Sequence, residues 1–263
     1  MRARPRRLRR GFFVSGPAMP VSNRPQPLER ILQSQGFGSR KTARALVQAG
    51  RVAVNGQSCH QPDASFATDG LLLTVDEQPW PYRERLYLAL YKPANYECSR
   101  TPQHHASVFS LLPEHFIARG VQPIGRLDAD TTGLLLLTDD GPYNHALASP
   151  KRHVPKTYLV SLKHAADSSL VAALLAGVQL HDEPAPLAAR ACSLQAEHQL
   201  LLTLDQGKYH QVKRMVAAAG NRVVALHRVA MGGLRLDAPP LQQLAEGHWC
   251  ELDAEGQALI QSY

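Results

Sequence analysis

Cysteine is scarce in this 263-residue chain. Its four cysteines, Cys59, Cys98, Cys192 and Cys250, are scattered, and no two form a Cys-x-x-Cys pair. Neither a zinc site nor a disulfide framework is indicated, which suits a reducing cytoplasm. No apolar run approaches the roughly 18 residues of a membrane span, and Phe12-Phe13-Val14 is too short for a signal-peptide core. The chain has no phosphate-binding P-loop, no Gly-x-Gly-x-x-Gly, no nucleophile elbow and no His-Glu-x-x-His. Its twelve histidines show no metal-ligand spacing, and His104-His105 sits in a polar loop. No metal and no cofactor are therefore expected. No internal repeat of solenoid length is visible.

Acidic residues are absent from the first 24 positions, which hold seven arginines. Those seven account for the whole formal charge of +7, because the remaining residues carry 22 basic and 22 acidic side chains. Global charge is thus weak evidence for nucleic acid, and only local segregation of charge can carry that argument. Residues 1–24 lack periodicity. They are expected to be a disordered basic extension, either an arm with non-specific phosphate affinity or an unstructured leader upstream of a start at Met19.

Order is expected from Pro25. Leu28, Ile31 and Leu32 recur at helical spacing up to Gly36. Ser39 is a good N-cap for a second helix that closes at Gly50, with Ala43, Leu46 and Val47 on its core face. Arg40, Lys41 and Arg44 lie off that face, as a solvated surface or a phosphate-binding one. Arg51-Val52-Ala53-Val54 alternates like a strand, and Asn55-Gly56 is a strong hairpin-turn signal. Five bases and one acid, Glu29, lie between Leu28 and Arg51. Pro79-Trp80-Pro81-Tyr82 breaks periodicity and is expected to be a linker.

The centre of the chain is Gly125-Arg126-Leu127-Asp128-Ala129-Asp130-Thr131-Thr132-Gly133, followed by Leu134 to Leu137. Four leucines bounded by glycine and acids predict a strand buried on both faces. Asp128, beside Arg126, is then a turn-capping aspartate or a carboxylate kept charged by a nearby cation. Before this stretch a strand is expected at Leu86–Tyr91, and after it strands at Lys156–Leu162, Leu200–Leu204 and Arg222–Leu226 and a helix at Ser168–Ala176. After Leu226 only short strands and turns are expected. From Gln211, the residues Val212, Met215, Val216 and Ala219 mark an amphipathic helix. Lys213 and Arg214 stand at its start, where cations are disfavoured, which suggests either a negative partner there, phosphate or carboxylate, or a plain solvated face. Lys151-Arg152-His153 is a short basic cluster.

Taken together, these motifs carry a resemblance. Leu-Glu-Arg-Ile-Leu, Gly-x-x-Ser-Arg-Lys-x-Ala-Arg and Gly-Arg-Val-x-Val-Asn-Gly resemble an S4-type RNA-binding module. Gly-Arg-Leu-Asp-x-Asp-Thr-Thr-Gly-Leu, Lys-Thr-Tyr-Leu-Val and Gly-Lys-Tyr-His-Gln-Val-Lys-Arg-Met resemble the RNA pseudouridine synthases, in their ribosomal small-subunit branch. The resemblance runs from about Leu28 to Leu252. Two departures are Gln206, where the family usually has Glu, and Pro155 before the Lys156 strand.

The resemblance implies an α+β fold, with an S4-like domain over residues 25–82 and a catalytic domain of mixed, mostly antiparallel sheet over 83–263. It implies isomerisation of a uridine in 16S rRNA, uridine 516 by family convention, to pseudouridine. Asp128 would be the nucleophile, at C1′ or at C6. Lys213 (or, failing it, Arg214) would keep it ionised, Tyr158 would stack on the flipped base, and Arg126 would fill the vacated space or hold the adjacent phosphate. Leu226 would line the apolar wall. Ser39, Arg40, Lys41, Arg44 and Arg51 would face RNA, and Lys151, Arg152 and Arg214 are further candidate contacts. The expected partner is 16S rRNA in a small-subunit assembly intermediate, met by a cytoplasmic monomer with no membrane association. The alternatives are a 23S rRNA target or a non-catalytic rRNA-binding assembly factor.

Overall fold

The computed structural model describes residues 24–263, so the basic extension lies, up to residue 23, outside the described residues. The N-terminal module is built on two short helices, α1 (Leu28–Ser34) and α2 (Arg40–Gln48). They pack on a four-stranded antiparallel sheet in the order Gln57–Ser58, Val52–Val54, Leu72–Val75, Gln78–Pro81. Ser39 caps α2, its hydroxyl accepting from Thr42 N. Asn55 and Gly56 both have positive φ, 49° and 81°, as a two-residue hairpin of matched twist requires. Leu28, Ile31, Leu32, Ala43, Val47 and Leu73 are fully buried and form the module's core.

The expected linker at Pro79–Tyr82 is instead mostly strand, paired with Leu72–Val75. It is an edge strand, where proline is tolerated. Tyr82 N donates to Leu71 O, so by alternation Pro79 and Pro81 fall where an N–H would point away from the partner.

The second module is organised by one nine-stranded mixed sheet. Its main path runs Ala191–Ala196, Gln199–Leu204, Lys156–Leu162, Val223–Met231, Thr132–Thr138, Tyr87–Lys92, Trp249–Glu251. Every pairing on that path is antiparallel except that of Thr132–Thr138 with Val223–Met231. The four leucines sit at its middle and divide by parity. Leu135 and Leu137 enter the core on one face, Leu134 and Leu136 that on the other. The larger core is covered by α3 (Glu114–Ala118), α5 (Ser168–Ala176) and α6 (Gln211–Ala218) through Phe116, Leu170, Leu174, Val212, Met215 and Val216. The smaller is covered by α4 (Gly141–Ala148) and α7 (Ala254–Gln261) through Leu147 and Ile260. Only strands and turns were expected after Leu226. The structure adds α7, whose cap Asp253 accepts from Gly256 N.

The two modules meet through a mixed seam. Phe37 stacks on His115 with centroids 4.6 Å apart, and Trp80 meets the same imidazole edge-on at 4.2 Å. Beneath them, Gln35 accepts from Arg119 at 3.0 Å and from Arg83 N at 3.1 Å, while Arg119 forms a buried ion pair with Asp139.

Gly133 marks where the central strand joins its parallel neighbour. Its φ is +106°, and a Cβ there would lie 2.3 Å from the carbonyl oxygen of Arg228 and 2.7 Å from its nitrogen. Backbone cannot yield as a side-chain tip can, so Gly133→Ala strains the strand and pushes the pair apart. The expected cost is about 3 kcal/mol or more, checked by thermal or urea unfolding. A variant within about 0.5 kcal/mol of the parent would disprove this packing.

Candidate active site

The loop before the central strand carries Asp128. Thr131 N donates back to Asp128 O at 3.1 Å, closing a tight turn. A buried lysine holds this turn from behind. Lys92, fully buried, donates through Nζ to the carbonyls of Pro93 (3.0 Å), Ala129 (3.1 Å) and Thr131 (2.7 Å). Three carbonyls satisfy the three donors of an ammonium. Burial lowers the Lys92 pKa to about 8, against the opposing influence of Cys98, Asp130 and Asp128. Asn95 N adds a second bond to Ala129 O at 2.8 Å. The Asp128 loop is therefore fixed at its backbone.

The Asp128 carboxylate faces the start of α6. Lys213 Nζ lies 3.0 Å from its Oδ2, and His210 Nε2 lies 3.3 Å from its Oδ1. The ammonium also donates to both oxygens of Asp130, at 2.8 and 2.9 Å. Burial opposes the charge on Lys213, but its bonds to Asp130 and Asp128 prevail and its pKa is raised. Burial likewise works to raise the Asp130 pKa, and the Lys213 bond and charge hold it below the usual range. The first-turn cations thus have carboxylate partners, since Arg214 pairs with Asp182.

Tyr158 and Leu226, each 8% exposed, line the same cleft, together with Arg126, Thr131, Gln206 and Lys208. Tyr158 is aimed by an irregularity: the strand register shifts between Thr157, opposite Ala230, and Tyr158, opposite Arg228. Such a bulge rotates the side chain that follows it. Arg126 is exposed and makes no ion pair among the described residues. Gln206 Oε1 is buried and lacks a hydrogen-bond partner among the described residues. The cleft is small, with a volume of about 60 Å³, and is open to solvent on one side. Among the described residues no cluster of His, Cys, Asp and Glu could hold a metal ion.

Asp128 and Arg126 from one loop, Tyr158 from a strand and Lys213 from α6 are thus brought together from three separate segments. The expected RNA contacts are more dispersed. Arg40 and Arg44 both pair with Glu29, whose side chain is 1% exposed, and Arg51 pairs with Asp76. Ser39 is exposed and caps α2, and Lys41 is exposed with no ion pair among the described residues. Lys151 and Arg152 are exposed on a short 3-10 turn and do not line the cleft. Sequence reasoning missed Lys92, His210 and Asp130. Asp130 follows Asp128 by two, and His210 precedes Lys213 by three, a helical spacing that put both on one side of the α6 start.

An S4-like module joined to a mixed sheet with an aspartate, a tyrosine and a lysine in one cleft defines an RNA-modifying enzyme. Residues 86–218 match the family model for RNA pseudouridylate synthase and residues 26–63 that for the S4 domain. The chain belongs to the RNA pseudouridine synthase family, with an S4 domain at its N-terminal side. It is 37% identical over 229 residues to ribosomal small subunit pseudouridine synthase A of Pasteurella multocida, covering 87% of this chain and 96% of that relative. To the Escherichia coli (strain K12) protein of the same name it is 37% identical over 234 residues, covering 87% and 96%. A crystal structure of a pseudouridylate synthase superposes with a TM-score of 0.61 at 32% identity, covering 89% of this chain and 99% of that one.

Proposed function

We propose that this enzyme isomerises one uridine of 16S rRNA, uridine 516, to pseudouridine, with Asp128 as the nucleophile. The observation that carries this reading is a carboxylate paired with the Lys213 ammonium at the mouth of a cleft walled by Tyr158 and Leu226. The small-subunit relatives support the substrate. The reaction breaks the N1–C1′ bond, forms a C5–C1′ bond, and transfers the proton lost from C5 to N1. No electrons are gained or lost, so none of these steps asks for a redox cofactor.

Asp128 opens the glycosidic linkage by attack at C1′ or at C6, as carboxylate nucleophiles do at sugars. Lys213 keeps it ionised, because an opposite charge offsets the desolvation that would protonate it. Tyr158 stacks on the uracil once it has left its helix, a step that costs a few kcal/mol. Arg126 fills the vacated position or holds the neighbouring phosphate. The S4-like module anchors the RNA through Lys41 and the outer faces of Arg40, Arg44 and Arg51, with Lys151, Arg152 and Arg214 as further contacts. The protein acts as a cytoplasmic monomer on an assembling small subunit.

Carbodiimide labelling and primer extension test the substrate. Incubation with unmodified 16S rRNA or partly assembled particles is expected to give one new stop, at uridine 516. A stop in 23S rRNA instead would move the target, and no stop in either would favour a non-catalytic assembly factor.

The arginine pairs set a second expectation. Removing Arg44 takes one of two cations from a buried carboxylate, so Arg44→Ala is expected to lower stability by about 1–3 kcal/mol as well as RNA affinity. Lys41→Ala is expected to leave the melting temperature unchanged and to reduce the slope of log affinity against log salt by about one. An unaltered slope for Lys41→Ala would remove this helix from the RNA interface.

A further inference from the structure

His210 is given no role by the reading above, yet both its backbone and its ring are set in an uncommon way. It stands at the N-cap of α6 with φ 45° and ψ 34°, in the left-handed region that side chains with a Cβ seldom adopt. An N-cap side chain ordinarily accepts a bond from the first amides of its helix, and that of His210 does not. Its ring stacks instead on Tyr209, with centroids 3.9 Å apart and planes 19° apart. Its Nε2 lies 3.3 Å from Asp128 Oδ1, a contact that does not yet have hydrogen-bond geometry. Backbone strain and a forgone cap point to a use elsewhere, and the residue they serve is Asp128.

The contact matters because Lys213 is shared. Its single ammonium meets Oδ2 of Asp128 and both oxygens of Asp130. A carboxylate held at one oxygen by a shared cation is free to turn about its Cβ–Cγ bond. A donor at the other oxygen stops that rotation. At 3.3 Å the contact is long, as polar contacts in free active sites often are before substrate tightens them.

We infer that His210 is a positioning residue for pseudouridine formation: its Nε2–H donates to Oδ1 of Asp128 and, opposite Lys213, fixes the plane in which the carboxylate attacks. The inference rests on Asp128 being the nucleophile. Tyr209 keeps the imidazole ring in that plane, and the left-handed backbone lets it reach across the cleft.

The test compares His210→Asn and His210→Gln in single-turnover release of tritium from 16S rRNA labelled at uridine C5, with RNA affinity measured in parallel. Asparagine tolerates the left-handed backbone, but its shorter amide stops short of Asp128. Glutamine carries an N–H to about the position of Nε2. His210→Asn is expected to slow the single-turnover step by roughly ten- to a hundredfold, as loss of one bond to a charged group would. Its RNA affinity and melting temperature stay as in the parent, and His210→Gln recovers most of the rate. A parental rate in His210→Asn overturns the inference, and so does His210→Gln being as slow as His210→Asn. Asp128→Asn, assayed alongside, separates the two levels: if it still releases tritium, the nucleophile assignment has failed, whatever the His210 variants do.

Discussion

Asp128→Asn is expected to fold, to bind rRNA with the affinity of the parent, and to release no measurable tritium from uridine C5. The expected loss in single-turnover rate is about 10⁴-fold or more, since a neutral amide cannot form and release the covalent adduct. The surroundings make this a clean experiment. Removing a carboxylate usually strands its cation, and a stranded partly buried cation destabilises the fold. Here Asp130 still accepts from Lys213 with both oxygens, so the ammonium remains paired. The Asp128 side chain is 30% exposed, so an amide meets water there. The Lys92 bonds that hold the loop go to backbone carbonyls and are indifferent to the substitution. Stability within about 1 kcal/mol of the parent is therefore expected from urea unfolding. An Asp128→Asn protein that forms pseudouridine at even a hundredth of the parental rate would rule out Asp128 as nucleophile.

The parts of this site that were legible in sequence are those with a local cause. The four leucines predicted a strand buried on both faces, and it lies at the centre of the sheet because that is where both faces are covered. Lys213 and Arg214, misplaced with respect to the helix dipole, implied negative partners, and carboxylates stand there. What sequence reasoning lost depends on contacts between distant segments. Lys92 falls just past the expected Leu86–Tyr91 strand and before a proline, with nothing to single it out. It is instead a buried cation, because Ala129 and Thr131 turn their carbonyls toward it across 37 and 39 residues. His210 gave only the weak signal of its spacing to Lys213, because its placement depends on a backbone conformation that its sequence neighbours do not announce. Pro79–Tyr82 misled because edge strands tolerate proline, and edge position is a property of the assembled sheet. The Glu29 pairs follow the same pattern. A lone acid among five bases reads as a minor irregularity, and burial makes it the counter-charge for two of them.

Lys213→Met should have the other large effect, and its signature is a displaced pH profile. Lys213 is the cation common to Asp128 and Asp130, and its bonds and charge hold the Asp130 pKa below the ordinary range against burial. Without it, burial and the mutual repulsion of two neighbouring carboxylates both favour protonation. The sign follows directly. Attack requires an ionised carboxylate, so loss of the neighbouring cation moves the acid limb of the rate profile to higher pH. The expected result is a rate reduced by roughly a hundredfold near neutrality and partly regained as pH rises. Lys213→Arg keeps the charge and should retain the position of the acid limb while losing some rate to altered geometry. Stability carries a matching signature. Asp130 is lowered and Lys213 raised, so their pairing stabilises the fold above an unfolded aspartate pKa of about 4 and below an unfolded lysine pKa of about 10.4. It is lost as pH falls through the depressed Asp130 value or rises through the elevated Lys213 value. Both groups are partly exposed, so at neutral pH the pairing contributes no more than about 1 kcal/mol. A hundredfold loss of rate from so small a loss of stability would mark Lys213 as serving the chemistry. An acid limb unmoved in Lys213→Met would mean that another group keeps Asp128 charged, with the buried ammonium of Lys92 behind the loop the next to test.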